Sequence, residues 1–390
     1  MSIRLAAWAA LAATLSLVGC GGGGGGIGGT GAPMGTAQFS VTDAPACGFD
    51  AVNITIEKVR VHQSAAAGDN DGGWSEVVLS PAKRVDLLAL TNGVLEDLGQ
   101  TQLPAGTYTQ LRLVLSANNG AHPLANSVVP TGAAEIALTT PSGQQSGIKL
   151  NVNLQVEAGK VADFVLDFDA CKSVVKRGTS GEYNLKPVVS VIPVISDAGL
   201  RVVGFVDPAI ALGSTTVSVQ LDGKTVKSTP PDAAGRFVLY PVPVGQYDLV
   251  VTAAGRATAV MTGVPVTTTA PTQVNSAAVP IVPAASTTRS VDGTVTPADA
   301  TVRALQTLTG GHKVEVQWAA VDALTGAFGL VLPVQAPVST AYVPNPASLS
   351  FTPDAAVAGK YTLEATSSGS IKTQAIDVTS AVPPVSFTFP

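Results

Sequence analysis

Asp232-Ala-Ala-Gly-Arg-Phe237, then Pro243-Val-Gly-Gln-Tyr247 running into residues 249–252, is the stretch that decides the fold. The Asp-to-Gly segment is built for a tight turn, Phe237 offers an apolar plug, and Gly245 turns the chain ahead of Tyr247. The same design returns downstream. Gly245, Tyr247, Leu249, Thr252 and Gly255 match Gly359, Tyr361, Leu363, Thr366 and Gly369 offset for offset, while Asp232, Gly235 and Phe237 match Asp322, Gly326 and Phe328 with one residue inserted. Val291-Asp-Gly-Thr-Val295 stands where residues 204–206 do. Matched offsets at this distance mean one structural unit present twice. The second copy carries a Pro-rich insertion, residues 335–357, which the composition predicts to be an exposed loop.

The rest of the chain agrees with a protein of strands and turns. Its 390 residues include 40 Gly and 27 Pro, with only 13% charged and 5% aromatic side chains, a profile too apolar for disorder and too rich in turn formers for helices. The net charge of −5 comes without a block of Lys or Arg, and a phosphate backbone needs such a stripe, so no nucleic-acid partner is expected. Upstream of the repeats, short alternating runs at 37–41, 52–56, 59–61, 108–115 and 161–168 are separated by turn signals such as Gly68-Asp-Asn-Asp-Gly72. Phe164, Leu166 and Phe168 fall on one side of their run and Asp163, Val165, Asp167 and Asp169 on the other, the period of a half-buried strand. One short helix is expected around residues 85–90. The fold class read from this is all-β: tandem antiparallel β-sandwich modules spanning 36–196, 197–285 and 286–390.

Two resemblances follow from these residues. The 204–252 pattern and its degenerate copy resemble the carboxypeptidase regulatory-like domain, a transthyretin-like sandwich grouped with carbohydrate-binding-like folds. That domain lacks the protease's zinc ligands, and no protease is implied. Thr42-Asp43-Ala44-Pro45, residues 52–61, Val85-Asp86-Leu87-Leu88, Leu103-Pro-Ala-Gly-Thr-Tyr108 with Arg112, Asp167-Phe-Asp-Ala170 and residues 183–187 together resemble an uncharacterised domain of bacterial secreted lipoproteins. That resemblance implies no activity.

At the N-terminus Arg4 precedes an apolar run of signal-peptide length, residues 5–18, ending in Leu17-Val18-Gly19-Cys20. This resembles the lipobox of bacterial lipoproteins, which implies that residues 1–19 are removed and that Cys20 carries lipid, a palmitate-type chain among its acyl groups. Several acyl chains at about 0.8 kcal/mol per buried CH₂ hold such a protein stably on a membrane. Six glycines, Gly21 to Gly26, then open a tether over 20–35, on the order of 20 Å as a flexible coil. By analogy with the sorting rule of enteric lipoproteins, Gly rather than Asp at position 21 implies the outer membrane, facing the periplasm or the cell surface. With Cys20 acylated, Cys47 and Cys171 remain, and an exported chain with one leftover pair is expected to form a disulfide. Such a bridge closes a loop of more than a hundred residues, for which chain entropy allows about 4–5 kcal/mol.

Candidate chemistry is sparse. His62, His122 and His312 lack metal-ligand spacing. Ser80-Pro-Ala-Lys83 fits the S-x-x-K pattern of acylating enzymes without its partner motifs. Asp43, Asp86, Asp167 and Asp169, at strand ends, are the oxygen-rich set from which a Ca²⁺ site could be built, with Asp69-Asn-Asp71 as a separate acidic turn. Asx turns, a solvated strand face and a hairpin loop account for the same residues. No catalytic residue and no cofactor are expected. The function read from sequence is a non-enzymatic, membrane-anchored lipoprotein for binding, adhesion or envelope structure, with a polysaccharide or an envelope protein as partner. The alternatives are a carbohydrate-binding surface protein, for which Trp318, Tyr240 and Tyr342 are the aromatics to place, and a hydrolase.

Overall fold

The computed structural model describes residues 32–43, 48–140 and 146–390. The lipobox, Cys20, most of the expected tether and Cys47 lie outside the described residues. Among those described, no helix is long and apolar enough to cross a membrane.

The first module contains β1 (Met34–Asp43), β2 (Phe49–His62), β3 (Ser75–Asp86), β4 (Glu96–Pro104), β5 (Gly106–Leu115), β6 (Ser127–Pro130), β7 (Ile136–Thr139), β8 (Ile148–Val156), β9 (Val161–Phe168), β10 (Val174–Arg177), β11 (Glu182–Leu185) and β12 (Val189–Val194). One sheet runs β12-β9-β1-β4, and the facing sheet runs β10-β11-β7-β6-β2-β5-β8 with β3 on β2. Alternating apolar positions such as Ala37, Phe39 and Val41 face Leu111, Leu113 and Ile54 across the interior, so one continuous core forms between the sheets. Strand pairing already starts at Met34, opposite Pro104; the tether expected over 20–35 therefore loses its last two residues to β1. The expected helix at 85–90 is a single 3-10 turn, Leu87–Ala89, because β3 continues through Asp86 and that carboxylate caps the turn by accepting from Leu88 N. A four-residue helix, α1 (Ala170–Ser173), was not anticipated.

The second module contains β13 (Val202–Phe205), β14 (Thr215–Leu221), β15 (Lys224–Thr229), β16 (Arg236–Leu239), β17 (Gly245–Ala253), β18 (Ala259–Val266) and β19 (Thr272–Gln273). The third contains β20 (Thr288–Thr296), β21 (Thr301–Thr307), β22 (Lys313–Ala319), β23 (Ala327–Pro333), β24 (Val338–Ala341), β25 (Thr352–Pro353), β26 (Lys360–Ser367), β27 (Ser370–Asp377) and β28 (Val385–Thr388). The repeat is physical. Sheet β16-β13-β19 corresponds to β23-β20-β28, and β15-β14-β17-β18 corresponds to β22-β21-β26-β27. In each copy a glycine faces the core phenylalanine across a strand pair, Gly204 opposite Phe237 and Gly293 opposite Phe328. A Cβ on either glycine would fall 2.6 Å or 2.3 Å from the ring, closer than packed carbons approach. In both copies the first and last strands run the same way and pair in parallel, as do β1 and β9. The sandwiches are thus antiparallel in the main, with parallel pairs β1–β9 and β7–β11 inside the first and a parallel pairing of first and last strands in each of the other two.

The insertion departs from expectation. Residues 338–341 are not a free loop: β24 pairs in parallel with β18, Ala259 opposite Val338 through Thr262 opposite Ala341, and β25 pairs in turn with β24. Val338 belongs to the second module's core, with Tyr342, Leu349 and Phe351 packed against it. The reason is the edge-strand problem. β18 would otherwise end its sheet with unpaired amides, and the third module covers it.

A tyrosine contact recurs in all three modules. Tyr108 donates to Pro104 O (2.9 Å), Tyr247 to Pro243 O (2.9 Å), and Tyr361 to Pro333 O (2.7 Å). The first two tyrosines stand four residues after their proline. The third is separated from Pro333 by the insertion, which enters between Pro333-Val334 and Gly359-Lys-Tyr361.

Candidate binding cleft at the junction of three modules

Glu315 is where the modules meet. β22 has one residue too many against β21: Leu305 pairs with Glu315 and Ala304 with Gln317, leaving Val316 as a bulge. A bulge reverses the alternation of a strand. Glu315 and Trp318, three residues apart, are thereby opposite Leu305 and Arg303, which share one face of β21. The Glu315 carboxylate accepts from Lys172 Nζ of the first module (2.7 Å), from Thr225 Oγ1 of the second (3.3 Å), and from Arg303 Nη1 of its own (3.2 Å). Its main chain is held as well. Glu315 N donates to Gln220 Oε1 (2.7 Å) and Gln220 Nε2 donates to Glu315 O (2.9 Å). Arg303 continues the network to Glu364 and to Gly223 O (2.7 Å). A buried carboxylate with this many charge-assisted partners is fully compensated.

Lys172 sits on α1, whose N-cap Asp169 accepts from Lys172 N (3.0 Å). Burial alone would lower the Lys172 ammonium, but the charges of Glu315 and Asp169 outweigh it and hold the group above the usual lysine range. The same ammonium lies 4.8 Å from the centroid of the Trp318 ring, a cation–π contact. Around these groups opens a cleft of about 1040 Å³ lined from all three modules, with Lys172, Gln220, Arg256, Asp292, Gln317 and Trp318 among its walls. Lys172, Asp169 and Glu315 are paired with one another, whereas Arg256 donates to Pro283 O (3.2 Å). Trp318, one of several aromatics in the lining, is half-buried.

The acidic residues singled out as Ca²⁺ candidates are placed as follows. Among the described residues no group of three or more His, Cys, Asp or Glu is arranged to hold a metal. Asp86 caps the 3-10 turn and also accepts from Val52 N (3.1 Å). Asp43 accepts from Ala170 N (2.8 Å), and Asp169 caps α1. Asp167 meets the ammonium of Lys227, which reaches in from the second module and also donates to Asp43 O (3.4 Å). The positive charge at this strand end is a lysine. Asp167 and Val165 are both buried although their side of β9 reads as a solvent face. In the acidic turn Asp69 pairs with Arg112, and Asp71 accepts from Gly68 N (2.8 Å). Of the S-x-x-K residues, Ser80 is exposed on β3 and Lys83 is tied to Glu96 and to Asp97 O (2.9 Å). His312 contacts Asp248 across the second and third modules (2.9 Å), His62 bonds within its own turn, and His122 lies in another loop. Tyr240 is buried under Arg201, and Tyr342 packs on the second core. Of the three aromatics considered for sugar stacking, Trp318 alone lines the cleft. Sequence reading missed Glu315, Gln220 and Lys227, whose partners come from other modules.

Fold and cleft define an all-β multi-sandwich protein. Over residues 34–187 a family model matches, described as a domain of unknown function (DUF4382). No curated protein matches the chain. Among solved structures, a C-terminal interface mutant of a type II cohesin–X-dockerin complex from Acetivibrio cellulolyticus is 27% identical over 23% of this chain and 59% of that one, with a TM-score of 0.19. The match thus spans less than two thirds of that chain. A putative adhesin from Bacteroides ovatus is 11% identical over 50% of this chain and 90% of that one (TM-score 0.17). A streptococcal ancillary pilin is 11% identical over 90% and 98% (TM-score 0.17).

Proposed function

We propose that this chain is a non-catalytic lipoprotein, held by lipid on Cys20 at the outer membrane, whose three sandwiches act as one binding body. The observation that carries the binding role is the cleft at Glu315, built from all three modules and stiffened by charges that satisfy one another. The buried pairs around Glu315 favour an uncharged polar ligand at that end of the cleft, because a charged one there would have to break them. Trp318 favours the narrower reading of a saccharide, since an indole beside hydrogen-bonding side chains suits a sugar ring. The lipid anchor rests on the lipobox resemblance and the glycines after it. A Cys47–Cys171 disulfide is part of the same proposal. The parallel pairing of Asp43 with Phe168 brings the chain to within four residues of Cys47 on one strand and three of Cys171 on the other.

Two measurements test this. Cys20→Ala is expected to move the protein from the membrane to the soluble fraction, and its retention in the membrane would refute the anchor. A glycan array probed with the chain from residue 32 onward is expected to yield hits that quench Trp318 fluorescence and are lost in Trp318→Ala. Hits indifferent to that substitution would remove the cleft from the binding role, and an array without hits would remove the saccharide.

A further inference from the structure

Lys227 extends from β15 out of its own module, and its ammonium ends against the Asp167 carboxylate at the close of β9. The side chains are 1% and 9% exposed. Few lysines are enclosed this completely, and the pair bridges two modules instead of serving a surface. A buried ion pair loses the hydration of both partners, and passage of one proton from the nitrogen to the carboxylate oxygen within the contact leaves an amine against a carboxylic acid. A free amine in contact with a carboxylic acid, oriented and shielded from water, is the reactant pair for amide formation.

We propose that Lys227 and Asp167 condense into an isopeptide bond that joins the first and second modules covalently. The Lys227 Nζ lone pair attacks Asp167 Cγ, and an N–C bond forms as one C–O bond breaks. The departing oxygen takes a proton from the nitrogen and leaves as water. Nothing is oxidised or reduced, and no co-reactant is needed. Burial pushes the carboxyl of Asp167 up, toward the protonated form the step uses. Asp169, two residues further along, adds a negative charge that also disfavours the ionised form of Asp167.

The test is a tryptic peptide map of the denatured full-length protein by mass spectrometry. Cleavage after Lys227 should be absent, and a branched peptide should join the Lys227 and Asp167 segments at a mass one water below their sum. Lys227→Arg keeps the positive charge but cannot condense in this way, and should return the linear peptides. Asp169→Asn should lower the yield of branched peptide with the circular dichroism of the fold unchanged; an undiminished yield would remove the Asp169 charge from the step. Recovery of the linear Lys227 and Asp167 peptides in full yield from the native chain overturns the proposal, whether or not any variant folds.

Discussion

Single residues repeat their work in this molecule. Tyr108, Tyr247 and Tyr361 each pin the loop before their strand to a proline carbonyl, and the Tyr361 bond is the buried one. Burial also pushes the Tyr361 hydroxyl well up. Removing a donor from a buried carbonyl costs the desolvation of that carbonyl, about 1–3 kcal/mol. Tyr361→Phe is therefore expected to lower the urea midpoint at constant m-value, and to do so by more than Tyr247→Phe, whose carbonyl partner is partly exposed. An equal loss at the two sites would contradict this ranking. The Gly-x-Tyr half of the motif was legible in the sequence because its spacing is local. Its proline half in the third module was hidden, since the insertion separates two residues that the fold keeps in contact.

At the scale of elements, the insertion shows what a sheet edge demands. Val338 N donates to Thr258 O (2.8 Å) and Tyr342 N to Thr262 O (2.8 Å), so β24 satisfies the outer side of β18. Deleting residues 335–358 rejoins Val334 to Gly359 and restores the spacing of Pro243-Val-Gly-Gln-Tyr247. The third module should keep its fold, while the amides of β18 flanking the lost strand exchange faster. Damage from a cut in the third module should thus be read in the second. Increased exchange confined to β26 and β27 would show that the insertion serves its own module instead. Alternation and turn chemistry made most strands legible. β24 was not, because a Pro-rich segment is extended by composition and finds its partner only in space.

For the whole molecule, contacts between modules outweigh what each module's sequence suggests. Leu200, Val203, Val238 and Tyr240 form a shared cluster with Leu95 and Val194, and Val250 and Val260 share another with Leu308 and Val314. Asn92 joins the first two modules by accepting from Val238 N (3.1 Å) and donating from its main chain to Thr229 (2.9 Å). Asp322 joins the first and third by accepting from Gly178 N (2.7 Å). Burial alone would raise the Asp322 carboxyl, but hydrogen bonds from Thr325, Leu324 and Gly178 outweigh it and hold the group below the usual range. A depressed folded value means the contact stabilises the fold above the unfolded carboxylate value, about 3.9, and is lost as pH falls through the lower folded one. The Gly178 amide resonance should stay constant from neutral pH down to that region and then titrate with a midpoint below an ordinary aspartate. Asp322→Asn should abolish the titration. A midpoint at the ordinary value would mean that this junction contact is not formed in solution.

By itself the sequence determined the all-β class and the repeat with its turn and core residues, and it is the basis on which a lipidated N-terminus is proposed. Each of these rests on local spacing, which the period of a strand, the geometry of a turn or the demands of a processing site imposes on neighbours in the chain. Tertiary structure alone decided that Lys227 stands where a cation was sought, that a bulge at Val316 brings Glu315 and Trp318 to one face, and that three modules enclose one cleft. These depend on charges, edges and apolar faces far apart in the chain. Only packing reveals which of them must be satisfied together.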